Sequence, residues 1–177
     1  MKKMFKPKTW LFPRPVMLVS SSAGGRDNIV TLSWGGIACS EPPMLTIAVR
    51  KSRFSHKLIM ESKEFVVNMP TSKQENIAEF CGTQTGSEVD KFTALTLTKK
   101  KASKVGAPLI AECPVNLECK VSKILELGSH DLFIAEIVAA HADDNILKAF
   151  DELDDSKLDT LAWQSPNYFR LMPVIKG

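Results

Sequence analysis

The stretch from Val16 to Trp34 reads Val-Met-Leu-Val-Ser-Ser-Ser-Ala-Gly-Gly-Arg-Asp-Asn-Ile-Val-Thr-Leu-Ser-Trp and contains two short apolar runs on either side of a polar segment. The apolar runs are Val16 to Ser20 and Ile29 to Trp34, and residues 21–28 between them hold a glycine pair. Two β-rich runs separated by Ser, Gly and Asn are typical of a β-hairpin. The sequence therefore predicts two antiparallel strands at this point.

Further strands follow along the chain. Apolar or alternating patterns predict five more strands: Met44 to Val49, Phe65 to Asn68, Thr93 to Thr98, Val115 to Ser122 and Leu132 to Ala140. The last two pair most simply across a turn near Gly128. Because a chain this rich in strands must remove its exposed sheet edges, the pattern favours a closed β-barrel, mainly β with inserted helices.

Two helices are predicted between these strands. The first starts near Ser55 and runs through Met60, with Ser52 or Ser55 as its cap. The second is capped by Thr71 or Ser72, has Gln74 three residues after Thr71 as in a capping box, and stops at Gly82. Near the end of the chain, apolar and acidic residues from Asn145 to Leu161 are spaced loosely like an amphipathic helix.

Size and charge describe an ordinary globular chain. Its 177 residues are 44% hydrophobic, which predicts a single domain over 1–177. The net charge of +3 is too small to imply nucleic-acid binding, and Lys99-Lys100-Lys101 is interpreted as a solvated turn. Prolines interrupt the basic start of the chain, and no apolar run of about 18 residues occurs. We expect a cytoplasmic protein without a membrane or nucleic-acid partner.

Several kinds of chemistry lack their motifs. The four cysteines form no Cys-x-x-Cys pair and are interpreted as reduced thiols, and the three histidines lack metal-site spacing, so no metal is expected. The sequence holds no phosphate-binding P-loop, dinucleotide Gly-x-Gly-x-x-Gly, His-Glu-x-x-His or Gly-x-Ser-x-Gly motif. These absences disfavour kinases, Rossmann dehydrogenases, zinc proteases and α/β-hydrolases.

A cationic, hydroxyl-rich cluster precedes the first helix, in the order Arg50-Lys51-Ser52-Arg53-Phe54-Ser55. A helix start presents unpaired N–H groups and a positive dipole end, and arginine can grip two phosphate oxygens at once. This composition suits a phosphate monoester. The alternative is an ordinary helix cap with cations whose stems lie along the surface, and composition alone does not separate the two.

Several fragments, taken in their order and spacing, resemble one known family. They are Arg14 to Val19, Asn28 to Trp34, Ser40 to Pro43, Arg50 to Ile59, Glu61 to Asn68 and Glu88 to Phe92. Together they cover most of the chain and resemble the flavin reductase-like, FMN-binding split barrel proteins, and within them the flavoredoxin-like branch. The resemblance implies a six-stranded Greek-key split barrel, usually a homodimer, with one FMN per subunit.

The resemblance also implies a set of cofactor-binding residues. Arg50, Ser52, Arg53 and Ser55 would hold the phosphate of FMN. The ribityl chain and the ring would be lined by Thr31, Ser33, Cys39 and Ser40, with Trp34 packing beside the flavin. The alternative is that Cys39 is a small buried hydrophobic residue and that Trp34 belongs to the core.

Two more positions match the family pattern, and each also has an ordinary structural explanation. Lys91, in Asp-Lys-Phe, would place a cation near the pyrimidine end of the ring, where it favours the reduced anionic flavin; the alternative is an ordinary surface lysine. His130 would be the catalytic residue that receives the nicotinamide, although Gly128-Ser129-His130 replaces the Gly-Asp-His of many pyridine-nucleotide-dependent members, and a plain turn histidine is the alternative. Tyr168 resembles a family tyrosine, and packing explains it as well.

Two functions remain open at this point. The first is an enzyme that passes electrons from NADH or NADPH through FMN to a flavin, a metal chelate or a protein acceptor. The second is a flavoredoxin-like FMN carrier, reduced by a partner protein without touching nicotinamide, and the altered Gly128-Ser129-His130 segment favours it. A barrel that binds haem or another ligand, or a dimeric scaffold, is a third interpretation.

Overall fold

A computed structural model describes residues 1–148 and 152–172. Its helices are α1 (Phe54–Ser62), α2 (Glu75–Thr83) and α3 (Lys91–Ala94). Its first strands are β1 (Arg14–Pro15), β2 (Met17–Ala23), β3 (Arg26–Leu32), β4 (Gly35–Ser40), β5 (Pro43–Arg50) and β6 (Glu64–Met69). The later strands are β7 (Lys99–Lys100), β8 (Leu109–Ile110), β9 (Val115–Leu127), β10 (His130–Ala142), β11 (Leu161–Gln164) and β12 (Asn167–Arg170).

Seven strands form one antiparallel sheet in the order β3-β2-β6-β9-β10-β5-β4. Val30 of β3 and Ile47 of β5 stand near opposite ends of this order, yet both belong to one buried cluster with Phe65 and Phe133. The sheet must therefore curl around a shared apolar core, which the hydrophobic effect stabilises. The predicted mainly-β class and split barrel are confirmed.

The predicted hairpins are confirmed. Strand β2 pairs with β3, and the turn between them is Gly24 and Gly25 alone, shorter than the polar segment 21–28 of the prediction. The two glycines have φ values of +57° and +74°. Strand β9 pairs with β10 across Gly128, whose φ is +55°. Glycine suits these left-handed positions because it lacks the Cβ that makes them costly. The long β9–β10 hairpin carries His130 to the edge of the groove described below.

Both predicted helices are present, but their starts differ in detail. Thr71 and Gln74 do form a capping box, and it opens a 3-10 turn, Ser72–Gln74, that leads directly into α2. Helix α2 continues one residue past Gly82. The predicted serine cap of α1 is wrong, since the cap residue is Arg53, which makes no side-chain capping bond.

Two predictions of secondary structure are wrong. The segment Thr93 to Thr98 is not a strand, because the Asp90 carboxylate accepts bonds from the Phe92 and Thr93 amides, at 3.0 and 3.3 Å, and caps the short helix α3. The described residues between Asn145 and Leu161 form a 3-10 turn, Asp144–Ile146, and a Leu147–Leu153 bridge instead of an α-helix. Phe150 and Asp151 of that prediction lie outside the described residues.

A second, small sheet covers one side of the barrel. It has the order β1-β11-β12, and its side chains pack with α2 in a cluster that includes Val16, Cys81 and Leu161. Trp163 and Tyr168 are half-buried against this cluster. The sheet therefore brings the last strands of the described chain beside β3 and α2, where the candidate site lies.

The structure also describes the lysine run, the cysteines and the length of the helices. Lys99 and Lys100 form the short exposed strand β7, and Lys99 pairs with Asp27 at 2.8 Å. The four cysteines are free, and burial raises the pKa of Cys81 to about 11. Within residues 1–148 and 152–172, no helix is long and apolar enough to cross a bilayer.

Candidate cofactor-binding groove

Adjoining cavities form a groove at the side of the barrel. The anion cavity, of about 110 Å³, is lined by residues from the start of α1 and the loop after α2, among them Ser52, Arg53, Ser55, Thr85, Gly86 and Lys91. The central cavity, of about 280 Å³, is lined by Arg14, Thr31, Leu32, Ser33, Trp34, Ala48, Arg50, Arg53, His130 and Trp163. Arg53 lines both cavities and joins them.

Two further cavities extend the groove. The side cavity, of about 320 Å³, shares Thr31, Ser33, Arg53 and Trp163 with the central cavity. The outer cavity, of about 590 Å³, shares Arg14 and Trp34 with it and lies between β4 and the N-terminal arm, residues 1–13. Nine of the eleven predicted site residues thus line the anion or the central cavity: Thr31, Ser33, Trp34, Arg50, Ser52, Arg53, Ser55, Lys91 and His130.

The start of α1 keeps its polar groups available to the anion cavity. Arg53 caps the helix only through its backbone, so the first-turn amides receive no capping side chain. Ser55 lies in the first turn and is fully buried. The positive end of the helix dipole, the guanidinium of Arg53 and the hydroxyl of Ser52 border the same cavity. This arrangement suits a phosphate group.

A buried asparagine orients the hydroxyl of Ser55. The Asn28 amide, Nδ2, donates to Ser55 Oγ at 2.8 Å, and Asn28 is 3% exposed. Because Ser55 Oγ accepts this bond, its own hydrogen is left to be donated to an acceptor in the cavity. A Cβ on Gly86 would stand 2.0 Å from Asn28 Oδ1, so this arrangement requires the glycine.

Lys91 is a buried cation, and its interpretation as a surface lysine is wrong. It is 2% exposed, and its Nζ donates to the carbonyls of Ile29 at 2.6 Å and Cys81 at 2.8 Å. Burial, with a smaller contribution from the nearby charge of Arg53, lowers the pKa of Lys91 to about 8. Lys91 lines the anion cavity with Ser52 and Ser55, so the structure groups it with the predicted phosphate residues.

The central cavity has an aromatic wall. The Trp34 ring stacks on the His130 ring with centroids 4.7 Å apart and an angle of 25° between their planes. His130 pairs with Arg50 across β10 and β5. Burial, and secondly the charge of Arg50, lower the pKa of His130, which favours a neutral imidazole at pH 7. Arg50 therefore belongs to this wall and not to the anion cavity.

The hydroxyl residues Thr31, in β3, and Ser33, just after the strand ends at Leu32, both reach the groove. Thr31 and Ser33 both border the central and the side cavity. Thr31 Oγ1 donates to the Ala78 carbonyl of α2 at 2.5 Å. Its hydroxyl hydrogen is used in this bond, so Thr31 can only accept a hydrogen bond from a ligand.

Cys39 and Ser40 are the two predicted site residues that the structure does not bring to the groove. They lie at the far end of β4, and neither lines the four cavities described above. The thiol of Cys39 lies 3.3 Å from the carbonyl oxygen of Glu41. Gly35 and Gly36, at the start of the same strand, line the outer cavity in their place.

Arg14 is a groove residue to which the sequence pattern gave no role. Its guanidinium lies over the rings of Phe12, Trp34 and Trp163, at 4.9, 5.8 and 5.4 Å from their centroids. Its Nε also donates to the Leu11 carbonyl at 2.9 Å. Arg14 thereby holds the N-terminal arm beside the groove. The available signal was the Arg14-Pro15-Val16 fragment that contributes to the resemblance.

A buried carboxylate contacts both the loop before α1 and the first turn of that helix. Asp131 Oδ2 lies 2.8 Å from His56 Nε2, and its Oδ1 lies 3.3 Å from Lys51 Nζ. Burial opposes ionisation of Asp131, but the bonds from His56 and Lys51 outweigh it and hold the pKa of this carboxyl below its usual value. Because side chains alternate along β10, Asp131 faces away from its neighbour His130. The loop that carries Ser52 and Arg53 is thus tied to the sheet.

The fold and groove define a class: split barrels with an anion cavity that opens onto an aromatic wall. Comparison with known sequences is more specific. The sequence model of the flavin reductase like domain matches residues 9–171, so the chain belongs to the flavin reductase-like family.

Individual relatives agree with this assignment. An uncharacterized protein of Archaeoglobus fulgidus is 37% identical over 135 residues, 76% of each chain. The NADH-dependent FAD reductase of Streptomyces globisporus is 28% identical over 130 residues, 73% of this chain and 70% of the relative. The structure of the flavoredoxin of Desulfovibrio vulgaris (Miyazaki F) superposes with a TM-score of 0.92 at 29% identity, covering 100% of this chain and 97% of the flavoredoxin.

Proposed function

We propose that the groove binds FMN and that the protein is an oxidoreductase, which passes electrons from NADH or NADPH through FMN to a flavin, a metal chelate or a protein acceptor. One observation carries the proposal. A buried lysine, an arginine and an oriented serine hydroxyl surround the anion cavity, and Arg53 connects that cavity to the aromatic wall of Trp34 and His130. Family membership supports it.

The residues present fit the parts of FMN. Its phosphate carries a charge between about −1.5 and −2 near pH 7, which Lys91 and Arg53 would neutralise while Ser52 and Ser55 donate hydrogen bonds. Thr31 and Ser33 would face the polar ribityl chain. When bound, FMN supplies a ring that accepts hydride or single electrons.

The chain's own residues supply position and electrostatics around that ring. Trp34 would form its apolar wall, and the neutral His130 stacked on Trp34 could donate or accept one hydrogen bond at its free ring nitrogen. Hydride transfer requires alignment of the two rings and needs no pair of carboxylates. The name of the Streptomyces globisporus relative, an NADH-dependent FAD reductase, supports a nicotinamide donor.

A flavoredoxin-like carrier is the second candidate. Ser129 Oγ lies 2.8 Å from His130 Nδ1, so the serine in Gly128-Ser129-His130 occupies one ring nitrogen of the residue expected to meet nicotinamide. The resemblance to the Desulfovibrio vulgaris flavoredoxin supports this candidate. Anaerobic mixing with NADH and with NADPH separates the two functions, because the enzyme bleaches its visible flavin bands whereas the carrier stays oxidised.

Replacing Ser55 tests the anion cavity. We expect Ser55→Ala to weaken FMN binding about tenfold or more, since it removes a buried donor to a charged acceptor. Titration of the apoprotein with FMN, followed by flavin fluorescence, measures the effect. Ser62→Ala is the matched control, because Ser62 lies in the last turn of the same helix and bonds the Leu58 carbonyl. Equal FMN affinities in both variants would place the phosphate elsewhere.

We further propose a homodimer of this chain, formed at the edge strand β4. Ile37 of β4 is 73% exposed and Leu11 of the N-terminal arm is 79% exposed, so an apolar surface borders an edge of the sheet. Ile37→Lys should convert the dimer to a monomer in sedimentation velocity runs. Leu127→Lys, at the 53% exposed last residue of β9, should leave the dimer intact. A monomeric wild-type protein would contradict the proposal.

A further inference from the structure

Two walls of the anion cavity come from separate parts of the chain. One wall is the first turn of α1, with Phe54 and Ser55. The other is the loop of residues 84–89 that follows α2, with Thr85 and Gly86. How firmly these two walls are held together therefore decides how easily a ligand enters or leaves the cavity.

One exposed arginine contacts both walls. Arg26, the first residue of β3, donates from Nη2 to the Gly86 carbonyl at 2.9 Å. Its guanidinium also lies over the Phe54 ring, 4.6 Å from the centroid, which is close enough for a cation–π contact. The described residues that line the anion cavity do not include Arg26. Arg26 therefore joins the two walls from outside the cavity and is not placed to hold the phosphate itself.

The loop of residues 84–89 has few other hydrogen bonds to the rest of the protein. The amides of Glu88 and Val89 donate to the Thr85 carbonyl, at 3.2 and 3.1 Å, and so stay within the loop. Among the described residues, the bond from Arg26 is the one hydrogen bond that links this loop to an element other than α2. Segments held by few contacts open at a low cost in free energy. Loss of the Arg26 bond should therefore let the loop move away from α1.

We propose that Arg26 is a positioning residue that holds the loop of residues 84–89 against α1 and thereby slows the release of a phosphate-bearing cofactor from the anion cavity. The inference rests on the proposed function, because that cofactor is FMN. A charge-assisted hydrogen bond and a cation–π contact, made by one planar guanidinium, act on both walls at once. Slow release keeps FMN on the protein between turnovers, as a prosthetic group and not as an exchanging substrate.

Arg26→Ala tests this role through the rates of FMN binding and release. We expect the dissociation rate to rise about tenfold or more, while the association rate changes by less than about threefold. Stopped-flow mixing of the FMN-loaded protein with an excess of an unrelated FMN-binding apoprotein, which traps the released cofactor, measures dissociation. Lys99→Ala is the matched control, because Lys99 pairs with Asp27, the neighbour of Arg26, and its replacement removes an equal charge close to the same strand.

Two further variants separate the contacts of Arg26 from its charge. Arg26→Lys keeps the charge but lacks the planar fork, so it should release FMN faster than the wild type and bind it at an unchanged rate. Phe54→Leu removes the aromatic ring and leaves the arginine in place. Because both residues take part in one contact, Arg26→Ala should accelerate release less in the Phe54→Leu background than in the wild type.

Hydrogen exchange in the apoprotein measures the loop without any cofactor. The amides of Glu88 and Val89, which are bonded to the Thr85 carbonyl, should exchange about tenfold faster in Arg26→Ala than in the wild type. The amides of the β9–β10 hairpin should keep their rates, because Arg26 does not contact that hairpin.

FMN release and loop exchange together decide the inference. If FMN binds and Arg26→Ala releases it at the wild-type rate, the inference is wrong and the proposed function stands. If Arg26→Ala slows association and leaves dissociation unchanged, Arg26 attracts the phosphate through its charge alone, and the inference is again wrong. If FMN does not bind, the proposed function fails. In that case faster loop exchange in Arg26→Ala still supports the role of Arg26, and unchanged exchange overturns it.

Discussion

Gly86→Ala is expected to disrupt the anion cavity by displacing Asn28, the residue that orients Ser55. The new Cβ would lie 2.0 Å from Asn28 Oδ1 and 2.7 Å from its Nδ2, and Asn28 is 3% exposed, with little room to move. Displacing this carboxamide breaks its bond to Ser55 Oγ. We expect the free energy of unfolding to fall by about 2 kcal/mol through overpacking, and FMN affinity to fall about tenfold through the lost orientation of Ser55. Urea unfolding and FMN titration measure the two effects.

A double-mutant cycle identifies the cause. In an Asn28→Ala background the added methyl group no longer meets the carboxamide, so Gly86→Ala should cost much less stability there than in the wild type. Gly36→Ala provides a second control, because a Cβ at Gly36 meets nothing within 4 Å. If Gly86→Ala is as stable as the wild type and binds FMN equally well, Asn28 does not orient Ser55.

The parts of the fold that were predictable depend on local patterns. The hairpin at Gly24 and Gly25 and the β9–β10 pair follow from period-two alternation and from glycines that the turns require. The segment Thr93 to Thr98 has the same β-rich composition but becomes α3 and a turn. There the carboxylate of Asp90 satisfies the first amides of the helix, and a cap of this kind outweighs weak strand propensity.

The candidate site was predictable where a motif is contiguous. The cluster from Arg50 to Ser55 and the alternating Thr31 and Ser33 do line one groove. Arg14, Glu79 and Trp163 reach the groove only because the small β1-β11-β12 sheet and α2 fold against β3. Their separation along the chain leaves no spacing to recognise. The burial of Lys91 is equally a tertiary property, since its two carbonyl acceptors belong to β3 and α2.

Lys91→Met should have the largest effect on the binding of a phosphate at the groove. The wild-type ammonium is buried beside Ser52 and Ser55, and the apolar variant removes a charge-assisted donor. We expect FMN affinity at pH 7 to fall by about 1.5 to 3 kcal/mol, roughly ten- to a hundredfold. Lys57→Met is the matched control, because Lys57 is an exposed lysine of α1 and its replacement changes the net charge equally.

The pH dependence distinguishes the charge of Lys91 from its packing. In the free protein the pKa of Lys91 is about 8, so wild-type FMN affinity should decline as the pH rises above 8 and the ammonium loses its proton. Lys91→Met should lack this decline. The pH dependence of apoprotein stability has the opposite sign to the pH dependence of FMN affinity. Between pH 8 and 10.5 the unfolded chain keeps the proton that the native state has released, so Lys91 makes wild-type stability rise with pH relative to the variant. Parallel pH profiles for the two proteins in both measurements would show that Lys91 carries no titrating charge in the anion cavity.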